Sequence, residues 1–304
     1  MSKLNFKPVT LDAREEIEPY LKQWDSISCQ YSFPNLWCLR EKYGTEYCVE
    51  EGTLYLRQKK RDNENGAAYF PPVAKEVKRR QIERIREDAW EMGRTPYFFG
   101  ITQERFREIR DVMPAGYELA EDRNWAEYLY TAEALSTLPG SSLSGKRRDV
   151  RAFWRKNEEI TSVEPISIKN INEVSAFQKR WQAEHAAGNA DAVQLEGEHE
   201  AILSALKNYE RLGFSGIILR ISGEVAAYSY GTYVGKCTFD VIAQKADYRY
   251  KNITQALFLE FVKRCCRDAC YVNYEEDIGL PGLRRAKLSY RPVFLLKKYC
   301  AVRV

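Results

Sequence analysis

Apolar residues recur along this chain at two spacings, near two and near three to four, and each change of spacing marks a new element. Residues 4–10 form a short strand, and Asp12 stands where it can cap a helix running to Trp24. A second helix covers Phe33–Lys42. Tyr47–Glu50 and Thr53–Gln58 read as strands about the Glu51-Gly52 turn, and Ala67–Phe70 as a third strand stopped by Pro71 and Pro72. Val77, Ile82, Ile85, Ala89 and Met92 then fall largely on one stripe of a helix over Lys75–Met92, which Gly93 ends. Pro96–Ile101 is a strand and Gln103–Val112 a helix. Tyr117–Leu119 and Glu127–Thr131 are expected to close this first sheet.

The same order returns in the second half. Thr161–Ile168 is a strand, Asn172–Glu184 and Glu196–Leu212 are helices, and Ser215–Ile221, Val225–Tyr233 and Lys236–Ala243 form a meander around Gly223 and Gly235. A long apolar helix over Thr254–Cys270, a strand over Tyr271–Tyr274, a short helix over Gly282–Leu288 and a strand pair over Val293–Val304 complete it. The repeat lies in the element order and not in the residues. It predicts a mixed α/β (α+β) chain of two similar domains, residues 1–140 and 141–304.

Composition narrows the function classes. Hydrophobic residues make up 44% and charged residues 30%, the balance of a folded globular chain. The net charge of +4 is too small to demand nucleic acid or anionic lipid as a partner, so any basic site is local. No window approaches a bilayer span, and the first residues lack the apolar core of a secretion signal; the expectation is a cytoplasmic protein without stable membrane insertion. The eight cysteines form no paired knuckles and read as reduced, mostly buried thiols. Cys266 and Cys270 share a helix face with Cys265 nearby, but a metal site there lacks a fourth ligand, and His185 and His199 read as surface residues; no metal is expected.

Two stretches carry candidate chemistry. From Cys270 to Pro292, the acids Glu275, Glu276 and Asp277 precede a Gly-Leu-Pro-Gly break, after which come Arg284, Arg285, Lys287, Ser289 and Tyr290. Surface pairing and helix-dipole preference account for such an order as readily as a polar site does. Between the halves, Leu138–Lys156 is a Gly/Ser-rich loop running into a basic helix. On that helix Arg147, Arg151 and Arg155 form an i, i+4 stripe beside Arg148, with Val150, Phe153 and Trp154 on the opposite arc. Guanidinium groups so arranged suit phosphate or carboxylate, although a solvated scaffold helix has the same pattern. Tyr228, Tyr230 and Tyr233 alternate along the meander and read as packing or as the lining of a groove.

The first stretch resembles the signature of bacterial proteins similar to the C-terminal domain of phosphatidylglycerol lysyltransferase. Asn273, Glu275, Asp277, Gly279, Gly282, Leu283, Arg284, Lys287, Ser289, Tyr290 and Pro292 stand at its positions. The second resembles that family's linker through Leu138, Gly140, Lys146, Arg147 and Phe153, whereas Arg148 and Ser141-Ser142 depart from it. The resemblance covers essentially the whole chain and implies two tandem GNAT-like (acyl-CoA N-acyltransferase-like) domains, related to the Fem aminoacyltransferases. It further implies transfer of an activated acyl or aminoacyl group to an amine or hydroxyl of a small-molecule, lipid or peptide acceptor. Glu275 and Asp277 would then orient the acceptor, Lys287 and Arg284 would stabilise negative charge, Tyr290 would donate a proton, and Asn273, Lys146, Arg147, Arg151 and Arg155 would bind substrate.

The donor is expected to be aminoacyl-tRNA or acyl-CoA. The loop from Ala243 to Gln255, where enzymes of this fold cradle a pyrophosphate, has no glycine; Asn252 stands at the usual glycine and Gln244 at the usual glutamate. The counterpart from Pro71 to Arg80 also has none. Both departures favour a donor other than acetyl-CoA. A coenzyme A-dependent N-acetyltransferase and a non-catalytic binding protein for an acidic ligand remain the alternatives.

Overall fold

The computed structural model describes residues 3–61, 66–186 and 192–304. Its strands among these residues are β1 (Lys7–Pro8), β2 (Thr45–Glu50), β3 (Thr53–Gln58), β4 (Ala67–Tyr69), β5 (Pro96–Thr102), β6 (Tyr117–Glu121), β7 (Glu127–Thr131), β8 (Thr161–Pro165), β9 (Ser215–Ile221), β10 (Glu224–Val234), β11 (Thr238–Ala246), β12 (Tyr271–Glu276), β13 (Phe294–Leu296) and β14 (Lys298–Arg303). They form two sheets, ordered β1-β2-β3-β4-β5-β14-β6 and β13-β7-β12-β11-β10-β9-β8.

Each sheet has the GNAT-like layout of an antiparallel meander followed by a helix and a parallel strand. In the first, β2 and β3 pair about Glu51 and Gly52, both left-handed (φ 46° and 71°), and β4 pairs in parallel with β5. The Arg79–Glu91 helix makes that crossover and buries Ile82, Ile85 and Ala89 against Tyr69, Phe98 and Ile101. In the second, β8 to β11 are antiparallel neighbours, and the Ile253–Cys265 helix returns the chain to β12, parallel to β11. Mixed α/β class and doubled layout agree with the sequence.

Two strands exchange sheets. Expected in the first sheet, β7 lies in the second between β13 and β12; expected in the second, β14 lies in the first between β5 and β6, with Tyr299 opposite Ile101 and Cys300 opposite Ala120. The reason is visible in burial: Glu127, Tyr128, Leu129 and Tyr130 are all inside, so β7 needs cover on both faces, whereas β6 is half-exposed and suits an edge. One compact unit therefore comprises the chain up to Glu127 with Glu276–Leu280 and Leu295–Val304, and the other Tyr128–Glu275 with Pro281–Phe294. A single cut at residue 140 does not coincide with this division.

In the first unit the interior holds a charge cluster. Lys298 is 1% exposed, and its ammonium pairs with the buried carboxylate of Glu127 and lies 3.4 Å from Glu276. Glu127 also accepts from the Ser28 hydroxyl at 2.7 Å and the Cys29 amide at 3.1 Å, and Glu276 from the Gln30 amide at 3.1 Å. Burial opposes the charge on Lys298, yet the field of the two carboxylates outweighs it and holds the ammonium's pKa above the ordinary lysine value. Cys29, Glu127 and Glu276 have metal-ligand chemistry and proximity, and the Lys298 ammonium supplies the cation among them.

Two outcomes are expected. Ending the chain after Phe294 removes β14 and leaves β5 and β6 without their shared neighbour, so the first unit should lose its amide-exchange protection while the second retains its own; full protection of β5 would contradict the exchange. Lys298→Met strands two buried carboxylates and should destabilise the first unit by about 3–5 kcal/mol in urea unfolding. Because the folded pKa of Lys298 is raised, its stabilisation is fully present below the unfolded lysine value of about 10.4 and is lost as pH climbs through the higher folded value. The wild type should thus lose stability in that alkaline range faster than Lys298→Met.

Candidate functional site

In the second unit, β11 and β12 pair in parallel at only three positions: Thr238 with Tyr271, Phe239 with Val272 and Asp240 with Asn273. Beyond these β11 runs on to Ala246 without β12 beside it, so the sheet opens at Asp240 and Asn273, both fully buried. The Asn273 side chain accepts from the Glu275 amide at 2.9 Å, an Asx turn that holds Glu275 at φ 52° and turns its side chain out of the strand's alternation. Sequence reasoning selected Asn273 and Glu275 but missed Asp240; an acid inside the apolar run Thr238–Ala243 was the available signal.

The Pro281–Leu288 helix presents the other half of the motif. Lys287, 5% exposed, donates from Nζ to the Tyr274 carbonyl and lies 5.1 Å from the centre of the Tyr274 ring and 5.8 Å from that of Tyr128. Its own carbonyl accepts from the Tyr130 hydroxyl at 2.8 Å. Tyr274 stacks on Phe258 at 4.6 Å, Phe258 meets Tyr290 edge-on at 5.1 Å, and the Lys146 ammonium sits 4.2 Å over the Tyr290 ring. One continuous cluster thus contains Lys287, Tyr290 and Lys146. Burial pushes the Lys146 pKa down, against the pull of Asp149, and pushes the Tyr274 and Tyr290 phenols well above their ordinary value. Arg284 is half-buried one turn before Lys287.

The remaining residues sort differently. Asp277 belongs to the first unit, fully buried, where it accepts from the Gly279 amide at 2.9 Å and from Arg123 at 3.2 Å; its carboxylate holds the turn through Ile278 and Gly279, both left-handed. Arg147 lies in the Ser144–Asn157 helix of the second unit and clamps the preceding loop through the carbonyls of Leu138 and Gly140. Arg151 and Arg155 are exposed on that helix, opposite the buried Val150 and Phe153. Tyr228 and Tyr230 are core residues, with the Tyr228 hydroxyl bonded to Gln178 at 2.6 Å, whereas Tyr233 is exposed. His185 stacks on Trp181 and His199 meets Gln178 at 3.1 Å, so both are packed more closely than surface residues.

The two helix-entry loops are occupied by the chain's own groups. In the first unit Glu108 accepts from the Val77 amide at 2.6 Å while Arg105 grips it at 2.6 and 2.9 Å, and the Lys78 amide donates to Gln81 at 2.6 Å. A carboxylate therefore stands where a phosphate would be cradled. In the second, Asn252 adopts φ 65° and opens the Ile253–Cys265 helix, so the turn forms without glycine. Asp247 nearby binds the Arg249 amide at 3.0 Å and its guanidinium.

Three comparisons bear on this arrangement. A protein of unknown function from Bacteroides thetaiotaomicron is 29% identical in a solved structure, with 99% of this chain and 100% of that one superposed at a TM-score of 0.91. The structure of L-PGS from Bacillus licheniformis shares the fold at 16% identity and a TM-score of 0.65, over 95% of this chain and 91% of that one. An uncharacterised protein of Mycoplasmoides gallisepticum is 22% identical over 177 residues, 57% of this chain and 54% of its own, so the match spans about half that relative's length. The family described as phosphatidylglycerol lysyltransferase, C-terminal, matches residues 22–302, and the chain is a member of that family.

Proposed function

We propose that this chain is an aminoacyltransferase that moves an activated aminoacyl group from aminoacyl-tRNA to an amine or hydroxyl acceptor. The reading is carried by Lys287, a lysine buried among aromatic faces and anchored by the Tyr274 carbonyl beside the Asn273–Glu275 turn. An ammonium removed from water stabilises a developing oxyanion far more than an exposed one does. In the step supported here, the acceptor nitrogen or oxygen attacks the aminoacyl ester carbonyl and its proton passes to Glu275. The tetrahedral intermediate carries its negative oxygen toward Lys287, with Arg284 one turn away. The ester C–O bond then breaks, and the proton on Glu275 passes to the leaving ribose hydroxyl.

Asn273 positions Glu275, and Tyr290 supports Lys146 with its ring face. A phenol pushed upward by burial is a poor acid, which favours this packing role for Tyr290 over proton donation. Asp277 shapes the turn between the two parts of the motif, and Arg151 and Arg155 offer exposed guanidinium groups to donor phosphates. Coenzyme A fits less well, because Glu108 and Gln81 already use the amides that would bind its pyrophosphate in the first unit. A lipid hydroxyl is an acceptor in keeping with the family; no described helix is long and apolar enough to cross a membrane, so it would be met at a bilayer surface or presented singly.

Transfer of radiolabelled amino acid from charged tRNA to lipid extract or to small amines tests the reading. Lys287→Met should lower turnover at least about tenfold, some 1.4 kcal/mol of transition-state stabilisation, in a folded protein. Full turnover in that variant removes Lys287 from the chemistry, and transfer from acetyl-CoA alone would replace the proposed donor. Arg151→Glu with Arg155→Glu should weaken tRNA binding and flatten its salt dependence with the fold intact, and unchanged affinity would make this helix a scaffold.

A further inference from the structure

Within the first unit a cleft of about 260 Å3 opens among Gln30, Arg61, Tyr97, Asp122, Trp125 and Lys298. The Arg61 guanidinium lies 4.2 Å from the ring centres of both Phe99 and Trp125 and 5.3 Å from that of Tyr43. Rings on its faces leave only its in-plane N–H edges to donate. One of them meets the Gln58 side-chain oxygen at 3.2 Å; Asp122 and Glu276 act on the charge only through space, and burial lowers its pKa. A partly desolvated guanidinium thus keeps an edge for a planar oxyanion.

Gln30 supplies the opposite demand. Its Nε2 donates to Glu276 at 3.1 Å, which fixes the orientation of the amide, since its oxygen would be repelled there. The Gln30 Oε1 is buried without a partner on a residue only 9% exposed, and a Cβ at Gly100 would stand 2.7 Å from it. Gly100, left-handed at φ 66°, leaves that oxygen room. An unsatisfied buried acceptor costs free energy unless a donor reaches it. Asp122 adds a negative charge on the same wall.

From this pairing we infer that the cleft binds a small zwitterion of the α-amino-acid class, its carboxylate on the Arg61 edge and its ammonium on Gln30 Oε1 and Asp122. The volume is below the roughly 300–1,000 Å3 of pockets for drug-sized ligands, which suits an amino acid and excludes a nucleotide. An esterified aminoacyl group has no free carboxylate for Arg61. The cleft's occupant is therefore a free amino acid distinct from the transferred group, and the inference does not rest on the proposed transfer.

Thermal-shift and calorimetric titration of the full chain with the twenty amino acids at millimolar concentration tests it, each beside its amide, which lacks the carboxylate, and its deaminated acid, which lacks the ammonium. At least one amino acid should raise the melting temperature, and its amide and deaminated acid should bind at least about tenfold more weakly. Arg61→Gln should cost at least about the same factor, and Gln30→Met provides a second test should Arg61→Gln fail to fold. No shift with any amino acid overturns the inference, as does affinity unchanged in a folded variant or equal affinity for the amide. None of these readouts depends on tRNA or on transfer.

Discussion

The first unit depends on one buried cation. Lys298 has water on almost none of its surface, and an ammionium in that position is tolerable only because Glu127 and Glu276 face it. Those three residues come from chain segments far apart in sequence, and Ser28, Cys29 and Gln30 satisfy the remaining carboxylate lone pairs. Apolar contacts tolerate a shifted register, whereas this cluster does not: a strand displaced by one residue would turn Lys298 to the other face and leave two buried carboxylates unpaired. The placement of β14 between β5 and β6 is thus tied to electrostatics as well as to backbone pairing.

That constraint also marks the limit of what the sequence disclosed. Strand and helix periods located nearly all elements, because each has a face that must be buried, and the order of elements indicated two GNAT-like sheets. The exchange of β7 and β14 left no local signal in spacing or turn residues. A trace was present in composition: Glu127 interrupts the apolar run Glu127–Thr131, and Lys298 stands in the apolar final strand. Each reads locally as a solvent-facing residue, and only their mutual neutralisation explains a charge inside a strand buried on both faces.

The site was legible in a similar proportion. Asn273, Glu275, Lys287, Tyr290 and Lys146 all lie in the second unit, and the turn that Gly279 permits is present. Asp277 matched the signature equally well but holds a turn in the first unit, and Arg147 clamps a loop. A motif records which residues are needed without distinguishing the side chains that meet a substrate from those that shape the backbone around them. Hydrogen-bond partners make that distinction here, because a carboxylate spent on a backbone amide and an arginine has little left for an acceptor.

The same reasoning reaches the donor. Enzymes of this layout bind a pyrophosphate with free amides at a helix start, and the missing glycines alone would leave that possibility standing, since Asn252 adopts the left-handed conformation that a glycine would. What weighs against it in the first unit is occupancy: the Val77 amide is bonded to Glu108, and Arg105 neutralises that carboxylate in place. A phosphate would have to displace an internal ion pair to gain one amide, an exchange in which the released carboxylate loses both partners. A donor whose phosphates lie outside that loop, bound by exposed guanidinium groups such as those of Arg151 and Arg155, meets no such cost.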